Sequence, residues 1–412
     1  MLKKQQTRST VAEKTPAVVF GMFETGLGVA RSLGQKGIKV VGVDFKKDIG
    51  FYSRYVSPEL CPHPLTEKDQ FLKWIGERFN NVDRLPIFIT CDPFLIVFSN
   101  NREYLSKYFL FNLPDDELIR RISNKYEQYK LACQVNVPVP KTVILNTTDD
   151  ISQLGSHNFN FPVIVKGLEV TLWRAKISSS VKGFAANNMD ELGNLSMDIL
   201  LKGVPCIVQE IIPGPDTNHL KYNCYINSKG EIKAEFMLRK IRQHPIHFGV
   251  GSAVESIHDS SLLEVGRMLF SSIGYRGIGS AEFKLDDLDN KLKLIEINPR
   301  YWQQNYLTTA SGLNIAYINY CDLMSLPIPT PKSHRIGVKW VNIYMDFDSF
   351  IGYRKEGTLS LREWINSLKG KKTWSDFTFH DPVPVFFEFR FGLKLMKHPL
   401  KLMRYALRAI SK

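Results

Sequence analysis

Ala17–Phe20 is an unbroken apolar run and Val40–Val43 nearly one, and between them Val29, Ala30 and Leu33 recur at helical spacing. Short continuous apolar runs mark strands buried on both faces, and a period of about 3.6 marks a helix. The pattern predicts a β-α-β unit ending at Asp44, and hence a parallel sheet. "RLPIFIT" (84–90) predicts another buried strand, and "NREYLSKYF" after it a helix. Gly21, Gly26 and Gly28 fall in the first turn but do not spell G-x-G-x-x-G, so a dinucleotide site and a plain tight turn both stay open.

Farther on, Asn124 predicts an N-cap for a helix from Lys125 to about Val135, stopped by "NVPVP". "FPVIVKG" (161–167) reads as a strand carrying Lys166, and "VPCIVQEIIPGPD" (204–216) as one broken at Pro213-Gly214. "IGSAEFKLDDLDNKLKLIEIN" (278–298) predicts a hairpin with its polar turn at Asp286–Asn290. Strict alternation puts Leu292, Leu294, Glu296 and Asn298 on one face, with Lys293, Ile295 and Ile297 on the other. On the partner strand Ser280, Glu282 and Lys284 share a face. A turn centred on Asp289 sets Glu282 opposite Glu296, with Asn298 two residues along. Facing carboxylates repel, and three oxygen side chains with room for water and phosphate suit Mg²⁺. Two solvated acids on an exposed face are the plainer alternative.

A chain of 412 residues implies two or three domains. With 44% hydrophobic and 23% charged residues it is globular in composition. Its net charge of +13, from 54 basic and 41 acidic residues, suits an anionic ligand, a membrane surface or nucleic acid without choosing among them. The six cysteines form no C-x-x-C pair or zinc spacing, which suits a reducing cytoplasm. The polar start, "MLKKQQTRST", lacks the apolar core of a signal peptide, and residues 1–15 are expected to form a disordered tail. No apolar run reaches about 18 residues, so no membrane-spanning helix is expected.

Taken in order, Lys125 in "SNKYEQYKLACQVNVPVPKT", Lys166 in "FPVIVK", "VQEIIPGPD", Glu282 in "GSAEFKLD" and "EINPR" resemble the ATP-grasp superfamily. The likeness is to the carboxylate–amine ligases grouped with D-aspartate ligase and, more distantly, to carbamoyl-phosphate synthase. It covers roughly residues 17–330. It implies an α/β and α+β chain with an ATP-grasp fold: a Rossmann-like pre-domain (16–112), then an ATP-grasp domain (113–330) with a small lid at about 139–208. It further implies ATP and Mg²⁺, or Mn²⁺ in its place, as cofactors. The chemistry implied is attack of a carboxylate on the γ-phosphate, then of an amine on the acyl phosphate. By the same likeness Lys125 and Lys166 meet the phosphates, and the strand Gln209, Glu210, Ile211 and Ile212 reads adenine. Asp216 matches the ribose acid; Glu282, Glu296 and Asn298 match the metal ligands; Arg300 would hold the acyl phosphate. In "LRKIRQHP", alternation gives Lys240 and Arg242 one face and Arg239 the other, and one of the three is expected at the triphosphate or the substrate carboxylate. The segment after Lys166, with Trp173 and three serines, departs from the glycine-rich loop usual in the group. Tyr301, Trp302, Gln303 and Asn305 either set substrate choice or pack.

Residues 331–412 form a C-terminal extension in this reading. "LSLREWINSL" has amphipathic helical spacing. In "PLKLMRYALRAISK", Lys401, Arg404 and Arg408 form a basic stripe that either faces solvent from a packed helix or rests on an anionic inner membrane surface. The partners expected are a small carboxylate and an amine, with no nucleic acid, since the basic residues show no aromatic interleaving. A bicarbonate-using carboxylase, a non-catalytic ATP-binding regulator and an oxidoreductase using the N-terminal glycines are the competing readings. The identities of the acid and the amine, and the oligomeric state, stay open.

Overall fold

The computed structural model describes residues 14–178, 181, 183–330 and 333–386. The chain divides into two compact units. The first holds residues up to Phe111, Asn319–Pro327 and the segment from Asp376. Its sheet has five parallel strands in the order β3-β2-β1-β4-β5: β1 (Ala17–Phe20), β2 (Val40–Asp44), β3 (Val56–Leu60), β4 (Leu85–Ile89) and β5 (Phe109–Leu110). β1 is central and wholly buried, as its apolar run requires. The turn after it needs glycine for shape: Gly21 has φ +92°, and a Cβ on Gly26 would sit 2.0 Å from the Gly21 carbonyl oxygen. Asp44 closes that turn by accepting the Met22 N–H at 2.6 Å. The helix expected over "NREYLSKYF" lies mostly earlier, at Asp92–Asn100, because Pro93 in its first turn favours a start there; only Arg102–Leu105 continues it, and Phe109–Leu110 is strand.

A buried ion pair ties the late segment into this unit. Arg31, fully buried, donates from Nε to Asp381 Oδ2 at 2.9 Å and from Nη2 to the Asp376 carbonyl at 2.7 Å. Asp381, equally buried, also accepts from Ser53 Oγ at 2.8 Å and from the Arg54 N–H at 2.9 Å.

The second unit comprises Asn112–Ile318 and Ile328–Ser375. It has a four-stranded antiparallel sheet, β6-β9-β7-β8, from β6 (Thr142–Leu145), β7 (Val163–Gly167), β8 (Phe184–Ala186) and β9 (Cys206–Glu210). Val163, Val165, Val208 and Leu192 share its core. Its larger sheet runs β14-β13-β10-β11-β12-β15-β16, from β10 (His219–Ile226), β11 (Ile232–His244), β12 (Val250–Ile257), β13 (Gly277–Leu285), β14 (Leu292–Asn298), β15 (Lys339–Val341) and β16 (Lys372–Trp374). The stretch read as an extension from residue 331 thus supplies the last two strands of this sheet. The helix Leu361–Ser367 forms where "LSLREWINSL" predicts one. The basic helix expected near 399–412, and residues 1–13 of the expected tail, lie outside the described residues. Among the described residues no helix is long and apolar enough to cross a membrane.

The hairpin corrects the alternation rule. Phe283 pairs with Leu294 but Glu282 pairs with Glu296, so Ile295 is an extra, bulged residue. Leu294 and Ile297 both enter the core with Ala281 and Phe283. Leu292 and Leu294 therefore do not share a face with Glu296 and Asn298; the bulge re-aims the two polar side chains toward the face that carries Ser280 and Glu282. The facing pair Glu282–Glu296 holds because the bulge offsets a turn centred half a residue earlier than Asp289. A second bulge corrects the basic run. Lys240 pairs with Val254 and Arg242 with Ala253, leaving Ile241 extra, so Lys240 and Arg242 point to opposite faces.

Candidate active site

The polar face of the large sheet is assembled in rows. Lys221, Glu282 and Glu296 lie side by side across β10, β13 and β14, and Asn223, Ser280 and Asn298 form the next row. Glu282, 7% exposed, meets Lys240 Nζ at 2.6 Å, His219 Nδ1 at 3.0 Å and Lys221 Nζ at 3.1 Å. Among the described residues Glu296 takes one ion-pair partner, Lys125 Nζ at 3.2 Å, and its side chain is 41% exposed. Lys125 starts its helix where Asn124 Oδ1 caps it, accepting the N–H groups of Tyr126 and Glu127.

Each of the two neighbouring acids thus has ammonium partners of its own. Burial alone would raise Glu282, but Lys240, Lys221 and His219 hold it well below the usual carboxylate range. Glu296 follows the same balance: burial raises it, and Lys125 together with Lys221 outweighs that and the push from Glu282. Burial pulls Lys125 down, and Glu296 reverses the effect. Burial pushes Lys240 down despite Glu282, and lowers His219. Three ammonium groups against two carboxylates leave this face inclined to bind anions.

These shifts carry a sign for stability. A depressed carboxylate stabilises the fold above its unfolded value, and the gain is lost as pH falls through the folded one. Glu282 and Glu296 therefore lose their contribution below about pH 4.3. His219, held neutral, also favours the unfolded state as pH falls below about 6.5. Melting temperature is expected to fall on acidification from pH 7, more steeply below about pH 4.3; a profile flat to pH 4 would contradict this balance.

Of the other residues singled out by sequence, Lys166 Nζ donates to Gln209 Oε1 at 2.7 Å, and Gln209 Nε2 to Thr142 Oγ1 at 3.1 Å. The Glu210 carboxylate accepts the Asn160 N–H at 2.7 Å. Ile211 donates its N–H to the Pro162 carbonyl, and the Ile212 carbonyl accepts from Lys284 Nζ at 2.6 Å. Arg300 Nη1 donates to the Tyr301 carbonyl at 3.2 Å. Asp216 accepts from Gln243 Nε2 at 2.6 Å and is in contact with the Tyr353 hydroxyl. Arg239 and Arg242 are not brought to the Glu282 face: Arg239 pairs with Glu255, and Arg242 makes a double contact with buried Asp346 at 2.8 Å.

Sequence reasoning passed over His219, Lys221, Gln243 and Tyr353. The first two were legible: in "HLKYNCYI", polar residues at 219, 221 and 223 alternate with apolar ones. Gln243 and Tyr353 carry no local signal.

An oxygen donor set fits a hard divalent cation. Among the described residues no three His, Cys, Asp or Glu side chains form a ready metal cluster. The candidate set is Glu282, Glu296 and the Asn298 amide, beside Ser280, whose buried Oγ has no hydrogen-bond partner. Two carboxylates and an amide suit a cation that keeps water and phosphate oxygens in its shell.

No family model matches the chain. It is 26% identical over 278 residues to a D-aspartate ligase of Enterococcus faecium, a match covering 64% of this chain and 66% of that enzyme, just under two thirds of its length. Among solved structures it resembles the ADP complex of an N5-carboxyaminoimidazole ribonucleotide synthetase, with TM-score 0.60, 12% identity, and 79% of this chain and 80% of the other covered. It also resembles an L-amino acid ligase from Bacillus licheniformis, with TM-score 0.57, 14% identity, and 76% and 74% covered. The fold, the order of the motifs and these likenesses agree: the chain is similar to ATP-grasp proteins of the carboxylate–amine ligase group.

Proposed function

We propose that the protein joins a carboxylate to an amine at the expense of ATP. The carboxylate oxygen attacks the γ-phosphorus, the bond to the β-phosphate oxygen breaks, and ADP leaves. The amine nitrogen then attacks the acyl carbon, the carbon–oxygen bond to phosphate breaks, and amide, phosphate and a proton are released. The observation that carries this reading is the in-register pair Glu282 and Glu296 ringed by Lys125, Lys221 and Lys240. Phosphoryl transfer is largely positioning and charge neutralisation, and this face supplies both.

In this reading Lys125 and Lys166 bear on the phosphates, Lys166 steadied by Gln209. Backbone groups of Glu210, Ile211 and Ile212 read adenine, and Asp216 the ribose. Of the basic run, Lys240 is assigned to the phosphates, because it alone reaches Glu282; Arg239 and Arg242 are assigned to structural pairs. Glu282, Glu296 and Asn298 would hold Mg²⁺, or Mn²⁺. The metal, when bound, neutralises charge on the β- and γ-phosphates. Arg300 would hold the acyl phosphate with its planar fork.

The test is ADP release from ATP and Mg²⁺ across a panel of carboxylates and amines. The D-aspartate ligase likeness makes aspartate of either hand the first acid to try. ADP formation that requires both an acid and an amine is the expected result. Release that requires bicarbonate instead identifies a carboxylase, and no stimulation by any pair overturns the ligase reading.

A further inference from the structure

The helix Ile343–Lys355 packs against β11 and β12 of the larger sheet. Asn342 caps it, accepting the Met345 N–H at 3.0 Å. Ser349, fully buried, fixes it on β11 by donating to the Gln243 carbonyl at 2.9 Å. One turn on, Tyr353 is 8% exposed, and its ring meets His247 edge to face at 5.6 Å. Its hydroxyl contacts Asp216 Oδ2, while Gln243 Nε2 holds Oδ1 at 2.6 Å. Gln243 Oε1 in turn accepts from Lys240 Nζ at 3.1 Å, and Lys240 reaches Glu282. One continuous polar chain therefore runs from Tyr353 through Asp216, Gln243 and Lys240 to the facing acids.

We infer that Tyr353 is a positioning residue for nucleotide recognition, orienting Asp216 toward the ribose hydroxyls. The inference rests on the ATP reading above. A carboxylate offers about four acceptor sites. With one donor fixed on each oxygen, the Asp216 carboxyl plane is set and the remaining sites are left for the two hydroxyls of a ribose. Phenylalanine at 353 keeps the ring packed on His247 and loses only the hydroxyl, so Asp216 is held from one side alone.

Direct binding of ATP and of 2′,3′-dideoxy-ATP, each with Mg²⁺, to the full chain and to Tyr353→Phe tests this. The wild type is expected to prefer ATP. Tyr353→Phe is expected to weaken ATP about 5- to 10-fold, the scale of one net hydrogen bond, and to leave the dideoxy nucleotide unchanged. In an Asp216→Ala background the same substitution is expected to add nothing. Equal weakening of both nucleotides marks a merely structural role and overturns the inference, as does unchanged ATP binding. No ATP binding by the wild type overturns the nucleotide reading itself, and this inference with it. Should Tyr353→Phe not fold, Gln243→Leu, which frees the other oxygen of Asp216, is expected to lose the same ribose preference, and its retention overturns the inference.

Discussion

Glu296→Gln is expected to lower the rate of ADP formation by about two to three orders of magnitude, the scale for removing one charged or hydrogen-bonding group from a preorganised transition-state site. The melting curve is expected to stay close to that of the wild type. Glutamine keeps the shape, and its carbonyl can still accept from Lys125, but the charge that would meet a metal is gone. Glu296 is part-exposed and, among the described residues, has one ammonium partner, so little is stranded by the change. Glu282 is a poorer choice for the same experiment, because its loss leaves Lys240, Lys221 and His219 clustered without their shared counter-charge. Turnover by Glu296→Gln at the wild-type rate would remove this residue from the reacting centre.

Asp381→Ala is expected to destabilise the N-terminal unit by about 3–5 kcal/mol, the cost of leaving one partner of a buried pair uncompensated. Arg31 has no route to water: both side chains of the pair are at most 1% exposed. Replacing both, as Arg31→Met with Asp381→Leu, is expected to recover part of the loss, since two apolar groups leave no buried charge. Recovery stays partial because Ser53 Oγ and the Arg54 N–H also lose their acceptor. Urea unfolding followed on the full chain measures both variants. A cost under about 1 kcal/mol for Asp381→Ala would place the pair among weak surface contacts and contradict the geometry.

The two sites differ in how far the sequence discloses them. The β-α-β unit was legible because buried parallel strands leave unbroken apolar runs, and Ala17–Phe20 is such a run. The cap at Asn124 was legible because capping is local chemistry. The facing of Glu282 and Glu296 was legible as a pairing and misread as a face, since a bulge at Ile295 leaves no mark in an alternating pattern. The same blindness put Lys240 and Arg242 together, when Ile241 turns them apart. What alternation cannot reach at all is partnership across long stretches of chain. Tyr353 meets Asp216 across 137 residues, and nothing beside either residue announces the other.

The ion pair of Arg31 and Asp381 closes a loop of 350 residues. At a synthesis rate of about 5–20 residues per second, the ribosome delivers the guanidinium roughly 20–70 s before its carboxylate. During that interval the nascent first domain carries an unanswered cation where its finished form has none. Its final docking step therefore waits for nearly the whole chain to be made.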